Sequence, residues 1–190
     1  MEEEEFEIED ILKPKTKRIK SGKKGKRVEL DLVKKLNDRF DSVLRRFPDW
    51  GKFSRTIGSG NRWGQNVHLS KKAIDNYTGD LVCPENFKFV LESKGGYNEI
   101  DLCSSFDKGQ AEIDKFLKQV KEDSKRTNRL PILLWKKDRK PRLAFMRKED
   151  LPKEKYENLD YYMRYRSWII INFKDLLELE DTFFFNCDIS

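Results

Sequence analysis

A chain of 190 residues is long enough for one domain with a real core and too short for two comfortable ones; with 39% charged residues against 37% hydrophobic ones, that domain carries an unusually charged surface. The single histidine excludes hydrolysis or metal binding built on several histidines, and the scattered Cys83, Cys103 and Cys187 argue against a disulfide framework and a zinc site, in keeping with a reducing cytoplasm. The formal charge of +6 conceals a division: residues 1–10 hold seven acids and no Lys or Arg, which leaves +13 on residues 11–190 and makes polyanions, nucleic acid first, the expected partners.

Residues 1–21 read as a charged, disordered arm, because the acidic block is followed by nine Lys or Arg between residues 13 and 27. The acids serve either as a solubilising tail or as a cover over the basic surface. They are the opposite of a signal or transit peptide, and no segment approaches the length of a membrane span, so a cytoplasmic location without a membrane partner is expected.

From about Lys24, Val28, Leu32, Leu36 and Phe40 recur at four-residue steps with Val33 beside them, which predicts an amphipathic helix. Glu29 lies on the flank of the apolar stripe. It is either directed to a site at a sheet edge or solvated and stabilised by the helix dipole. Asp41-Ser42 interrupts the pattern before Val43, Leu44 and Phe47, and Pro48-Asp49-Trp50-Gly51 ends it. Lys52–Ile57 reads as a strand running into Gly58-Ser59-Gly60, where Arg55, Ser59 and Arg62 offer donors suited to phosphate oxygens; a bare turn is the alternative. Residues 61–78 form a polar insertion in which Trp63 covers the core or stacks on a base, and His68 is structural or incidental.

The stretch Gly79–Lys94 reads as strand, turn and strand, with the break at Pro84-Glu85-Asn86. Alternation places Glu92 and Lys94 on one face and Ser93 on the other. If Leu81-Val82 pairs with the centre of the second strand, Asp80 joins them, and two carboxylates and an ammonium converge. Two carboxylates with water and substrate oxygens suffice to hold Mg²⁺. A solvated salt bridge at a strand end uses the same residues.

Gly95-Gly96 turns the chain out, and Gln110–Arg126 reads as a second amphipathic helix with Ile113, Phe116, Leu117 and Val120 on one face. Gln119 points either towards the acids or into solvent. Pro131–Trp135 is a buried-looking strand, Lys136–Lys140 a basic turn and Arg142–Arg147 a returning strand. After a polar stretch, Tyr161–Arg166 interleaves aromatics with arginines, a pattern of strand-binding surfaces and, more often, of packed ones. Trp168–Phe173 predicts a last strand, and Lys174–Leu179 a short terminal helix.

This order of elements, with Arg27-Val28-Glu29-Leu30 on the first helix, Arg55 before Gly58-Ser59-Gly60, Asp80, Glu92-Ser93-Lys94 and Pro131-Ile132-Leu133-Leu134, resembles the PD-(D/E)xK nuclease superfamily. Within it the chain is similar to the Holliday junction resolvases of archaeal type and their phage-encoded relatives, over residues 22–147. The resemblance implies an α/β, restriction-endonuclease-like core in α-β-β-β-α-β-β order, its central mixed β-sheet flanked by helices. Residues 22–190 would then form a single nuclease domain with core 22–147 and a C-terminal extension 148–190. It further implies Asp80 and Glu92 as metal ligands with the Ser93 main-chain carbonyl as a third, Lys94 as the catalytic lysine, and Glu29 as an additional metal-site or water-orienting acid. Arg55 and Ser59 would lie near the scissile phosphate, Lys24, Lys26, Arg27 and Arg62 would contact DNA elsewhere, and Gln119 would support the cluster. The implied cofactor is Mg²⁺, with Mn²⁺ as a substitute, and the implied partners are branched DNA and a second copy of the chain. Two departures stand out: Gly79 occupies the place of Pro in the family name, and the insertion between Gly60 and Asp80 is long. A restriction-type or end-processing nuclease of the same fold, and a DNA-binding accessory protein without catalysis, remain alternatives.

Overall fold

The computed structural model describes residues 21–56, 78–103 and 111–186. Its frame is a five-stranded sheet whose central members come from the most apolar runs. Strand β3 (Phe89–Gly95) lies at one edge and pairs in parallel with β4 (Leu130–Lys136). Strand β4 then pairs with β5 (Arg142–Arg147), β5 with β7 (Trp168–Asn172), and β7 with the outer strand β6 (Tyr162–Tyr165), all antiparallel. The sheet is therefore mixed, and its single parallel pair requires a crossover, supplied by helix α3 (Ala111–Thr127).

Period-two alternation sorts the strand residues into two layers. Phe89, Leu91, Ile132, Leu134, Ala144, Met146, Ile169 and Ile171 face helix α1 (Ser21–Arg39) and helix α2 (Asp41–Arg46). Val90, Leu133, Trp135, Phe145, Trp168 and Ile170 face Ile113, Phe116, Leu117 and Val120 of α3, the four residues expected on its apolar face. The first layer is closed by the C-terminal helices α4 (Phe173–Leu177) and α5 (Asp181–Phe184). Phe40 sits at its centre, with ring centroids 5.0 Å from Phe184, 5.2 Å from Phe185 and 5.8 Å from Phe53. Arg39 fastens the C-terminal segment to α1 by donating to the carbonyls of Leu177 and Leu179 and to Asp181. Among the described residues no helix is long and apolar enough to cross a membrane.

The expected hairpin within Gly79–Lys94 is not formed. Strand β2 (Leu81–Val82) pairs instead with β1 (Ser54–Arg55), Ser54 opposite Val82, as a separate two-stranded ribbon. The reason lies in the connection. Pro84 has no N–H to give a ladder, and the next residues are drawn away, Phe87 bridging Phe185 and the Lys88 N–H donating to the Phe184 carbonyl. The first helix starts earlier than Lys24, at Ser21, and breaks at Phe40 before Asp41. The acidic residues 1–10, Gly58-Ser59-Gly60, Arg62, Trp63, His68, Gln110 and Cys187 lie outside the described residues.

Candidate active site

Because β3 is an edge strand, every second residue along it presents its N–H and C=O away from β4. Asp80 occupies that edge. Its N–H donates to the Leu91 carbonyl at 3.1 Å, its side-chain Oδ2 accepts from the Ser93 N–H at 2.8 Å, and its carbonyl accepts from the Thr56 N–H at 3.1 Å. Asp80 is thus fixed between the end of β1 and the rim of β3. Since the N–H and C=O of one strand residue point the same way, the Ser93 carbonyl opens to the same rim as the Asp80 carboxylate. The approach depends on Gly79, whose φ of +74° is left-handed and whose missing Cβ would stand 2.9 Å from the Leu91 carbonyl oxygen. Proline, locked near φ of about −65°, does not fit this route, so the departure at residue 79 has a backbone cause.

Glu92 and Lys94 project from β3 towards α3. Glu92 is 1% exposed; its Oε1 accepts from the Lys94 ammonium and from Gln119 Nε2 at 2.5 Å, and its carboxyl also meets the Asp80 side chain in a hydrogen bond. Lys94 Nζ lies 5.6 Å from the Phe116 ring centroid, a contact that favours the cation. Burial, and next the negative charge of Asp80, push the Glu92 carboxyl up to about 8 against the opposing pull of Lys94. Burial likewise raises Asp80, although Lys94 and the Ser93 N–H oppose it. Burial alone pulls the Lys94 ammonium down, but Glu92 and Asp80 together lift it above its ordinary value. The three groups the sequence singled out therefore do meet, by way of Asp80 at the strand rim and not through a paired hairpin.

Glu29 faces the same region from α1. It is bound by Arg55 of β1, Nε to Oε2 at 2.5 Å, and its charge adds to the upward pressure on Asp80. Helix α1 comes this close because Gly95 has no side chain: a Cβ there would stand 2.9 Å from Val28 Cγ2. The buried Arg142 guanidinium ties the helix down from β5, donating to the Val28 carbonyl at 3.2 Å and to Asp31 at 3.3 Å. Lys26 and Arg27 are exposed on α1, whereas the side chain of Lys24, with Ser59 and Arg62, lies outside the described residues.

One acid escaped the sequence reading. Asp123 is 7% exposed on α3, one turn beyond Gln119, and is pushed up to about 6, chiefly by burial and further by the charge of Asp80, against the pull of Arg126. Its i+4 spacing from Gln119 is the signal that places both on one helix face. Among the described residues, no group of three or more His, Cys, Asp or Glu side chains is arranged to hold a metal ion. The donors on offer are the carboxylates of Asp80 and Glu92 and the rim-facing Ser93 carbonyl. This all-oxygen set suits a hard divalent cation that keeps several waters.

A mixed sheet flanked by helices, with Glu92-Ser93-Lys94 on its edge strand and Asp80 hydrogen-bonded to that edge, defines a nuclease of the PD-(D/E)xK class. The chain belongs to the family described as "Phage putative PDDEXK endonuclease", whose model matches residues 20–188. The superfamily and the phage connection expected from the motifs are thereby met, and the match runs beyond residue 147 through β6, β7 and α5. No curated protein and no solved structure matches the chain.

Proposed function

We propose that the chain hydrolyses DNA phosphodiesters with a divalent metal, Mg²⁺ in the first place, and that four-way junctions or other branched DNA are its substrate. The observation that carries the hydrolytic reading is the meeting of the buried Glu92 and Asp80 carboxyls at the rim of β3, where a shared proton or a cation relieves their repulsion. Asp80, Glu92 and the Ser93 carbonyl would hold the ion, which when bound supplies charge against the phosphate and acidifies water. Gln119 fixes the Glu92 carboxylate, and Lys94, charged and oriented by Glu92, donates to a phosphate oxygen or to the attacking water. Arg55, held by Glu29, would contact the phosphate from the side of β1. The choice of branched DNA rests on the resemblance to junction resolvases and on the net positive charge outside the acidic arm.

A single assay separates the readings: the protein is incubated with Mg²⁺ and either a four-way junction or a linear duplex of the same sequence. Symmetric nicks in the junction alone support resolution, and cuts in both support a nuclease with a broader target. A shifted but intact substrate in both cases removes the hydrolytic reading and leaves a DNA-binding accessory protein.

A further inference from the structure

The turn joining β4 to β5 lies just past the end of the catalytic strand. Lys94 is opposite Trp135 and Gly95 opposite Lys136, and the Gly96 N–H donates to the Lys136 carbonyl at 2.9 Å. Four of the five residues Lys136–Lys140 are cationic. The turn is pinned to the loop that follows Lys94: Asn98 Nδ2 donates to Asp138 Oδ2 at 2.7 Å, and the Asp138 N–H donates to Asn98 Oδ1 at 2.9 Å. Lys137 donates to the Ile100 carbonyl, and Lys136 Nζ to the Lys140 carbonyl. Arg139 and Lys140, both exposed, have no side-chain partner among the described residues. Arg139 has φ of +57°, a left-handed conformation that favours glycine.

We infer that the β4–β5 turn is a phosphate-backbone contact for the nucleic acid, with Arg139 and Lys140 held at a fixed offset from Lys94 by the Asn98–Asp138 pair. The inference rests on the nucleic-acid reading above and deepens it by naming a second point of contact. Two free cations on a pre-ordered turn give affinity without base recognition, since phosphate contacts position the duplex and carry no sequence information. Pinning the turn beside β3 makes that position count at the scissile bond.

The test is equilibrium binding of a linear duplex by fluorescence anisotropy in EDTA, so that no cleavage is needed. Arg139→Gly with Lys140→Ser removes both cations and relieves the backbone, so the melting temperature is expected to stay or rise. Dissociation constants should rise about tenfold, and the slope of log Kd against log salt should fall by about two. Lys148→Ala with Lys153→Ala, an equal loss of charge beyond the far end of β5, should change neither. Wild-type affinity and slope in the turn variant, or an equal loss in the distant pair, would overturn the inference. A wild type that binds through the turn yet cuts nothing with Mg²⁺ would remove the hydrolytic proposal and leave this contact standing.

Discussion

Glu92 is held with one oxygen doubly hydrogen-bonded and its carboxyl set against that of Asp80, so a proton and a cation compete for the same site. Its folded value of about 8 stands above the ordinary 4.5, which means that the stability it contributes is present below pH 4.5 and lost as the pH rises through 8. Glu92→Gln is neutral throughout. In chelator, the melting temperature of this variant relative to the wild type is expected to grow between about pH 4.5 and about pH 8, by several degrees; a difference independent of pH would contradict the burial argument. The same logic predicts that excess Mg²⁺ stabilises the wild type and not Asp80→Asn or Glu92→Gln, as read from thermal melts. Cleavage should fall by about a thousandfold or more in Glu92→Ala, while DNA binding is kept. Wild-type cleavage by Glu92→Ala would show that this carboxylate is not part of the machinery.

Helix α1, strand β3 and the ribbon of β1 and β2 are brought together by two glycines, and local pattern reading could not show it. The apolar runs of β4 and β5 and the face of α3 were legible because each is decided by neighbours within one element. The pairing of Ser54 with Val82 joins residues on either side of residues 57–77, and no alternation in either segment names its partner. Glu92 and Lys94 were legible as a pair two apart on a strand; the place of Asp80 depends on the left-handed turn at Gly79, a backbone property that the sequence shows only as a glycine. Gly79→Ala is therefore expected to cost about 1–3 kcal/mol in urea unfolding and to lower cleavage more than tenfold by moving Asp80 off the Ser93 N–H. Gly95→Ala, which crowds Val28, should cost about 1–3 kcal/mol as well, yet leave the Asp80–Ser93 contact in place. If both variants lost cleavage equally at equal stability, the two glycines would not have separate tasks.

At the scale of the whole molecule, one chain holds one cluster of Asp80, Glu92 and Lys94, while resolving a four-way junction requires two cuts related by two-fold symmetry. The proposed substrate therefore commits the chain to acting in pairs, a commitment that no residue pattern announces, because an isologous surface carries no internal periodicity. On that reading the rim of β3 is not the pairing surface, since Asp80 covers it. The prediction is made on mixtures. Wild-type chains are combined with an excess of tagged Glu92→Gln chains, the mixed assembly is isolated by the tag, and it is given a junction with Mg²⁺. One live site per pair should nick one strand and leave the symmetric strand whole, giving nicked junction in place of two resolved duplexes. Sedimentation of the wild type alone should give twice the chain mass of 22.7 kDa. Full resolution by the purified mixed pair, or a monomer that makes both cuts without exchanging partners, would show that the two incisions do not need two sites and would remove the paired reading.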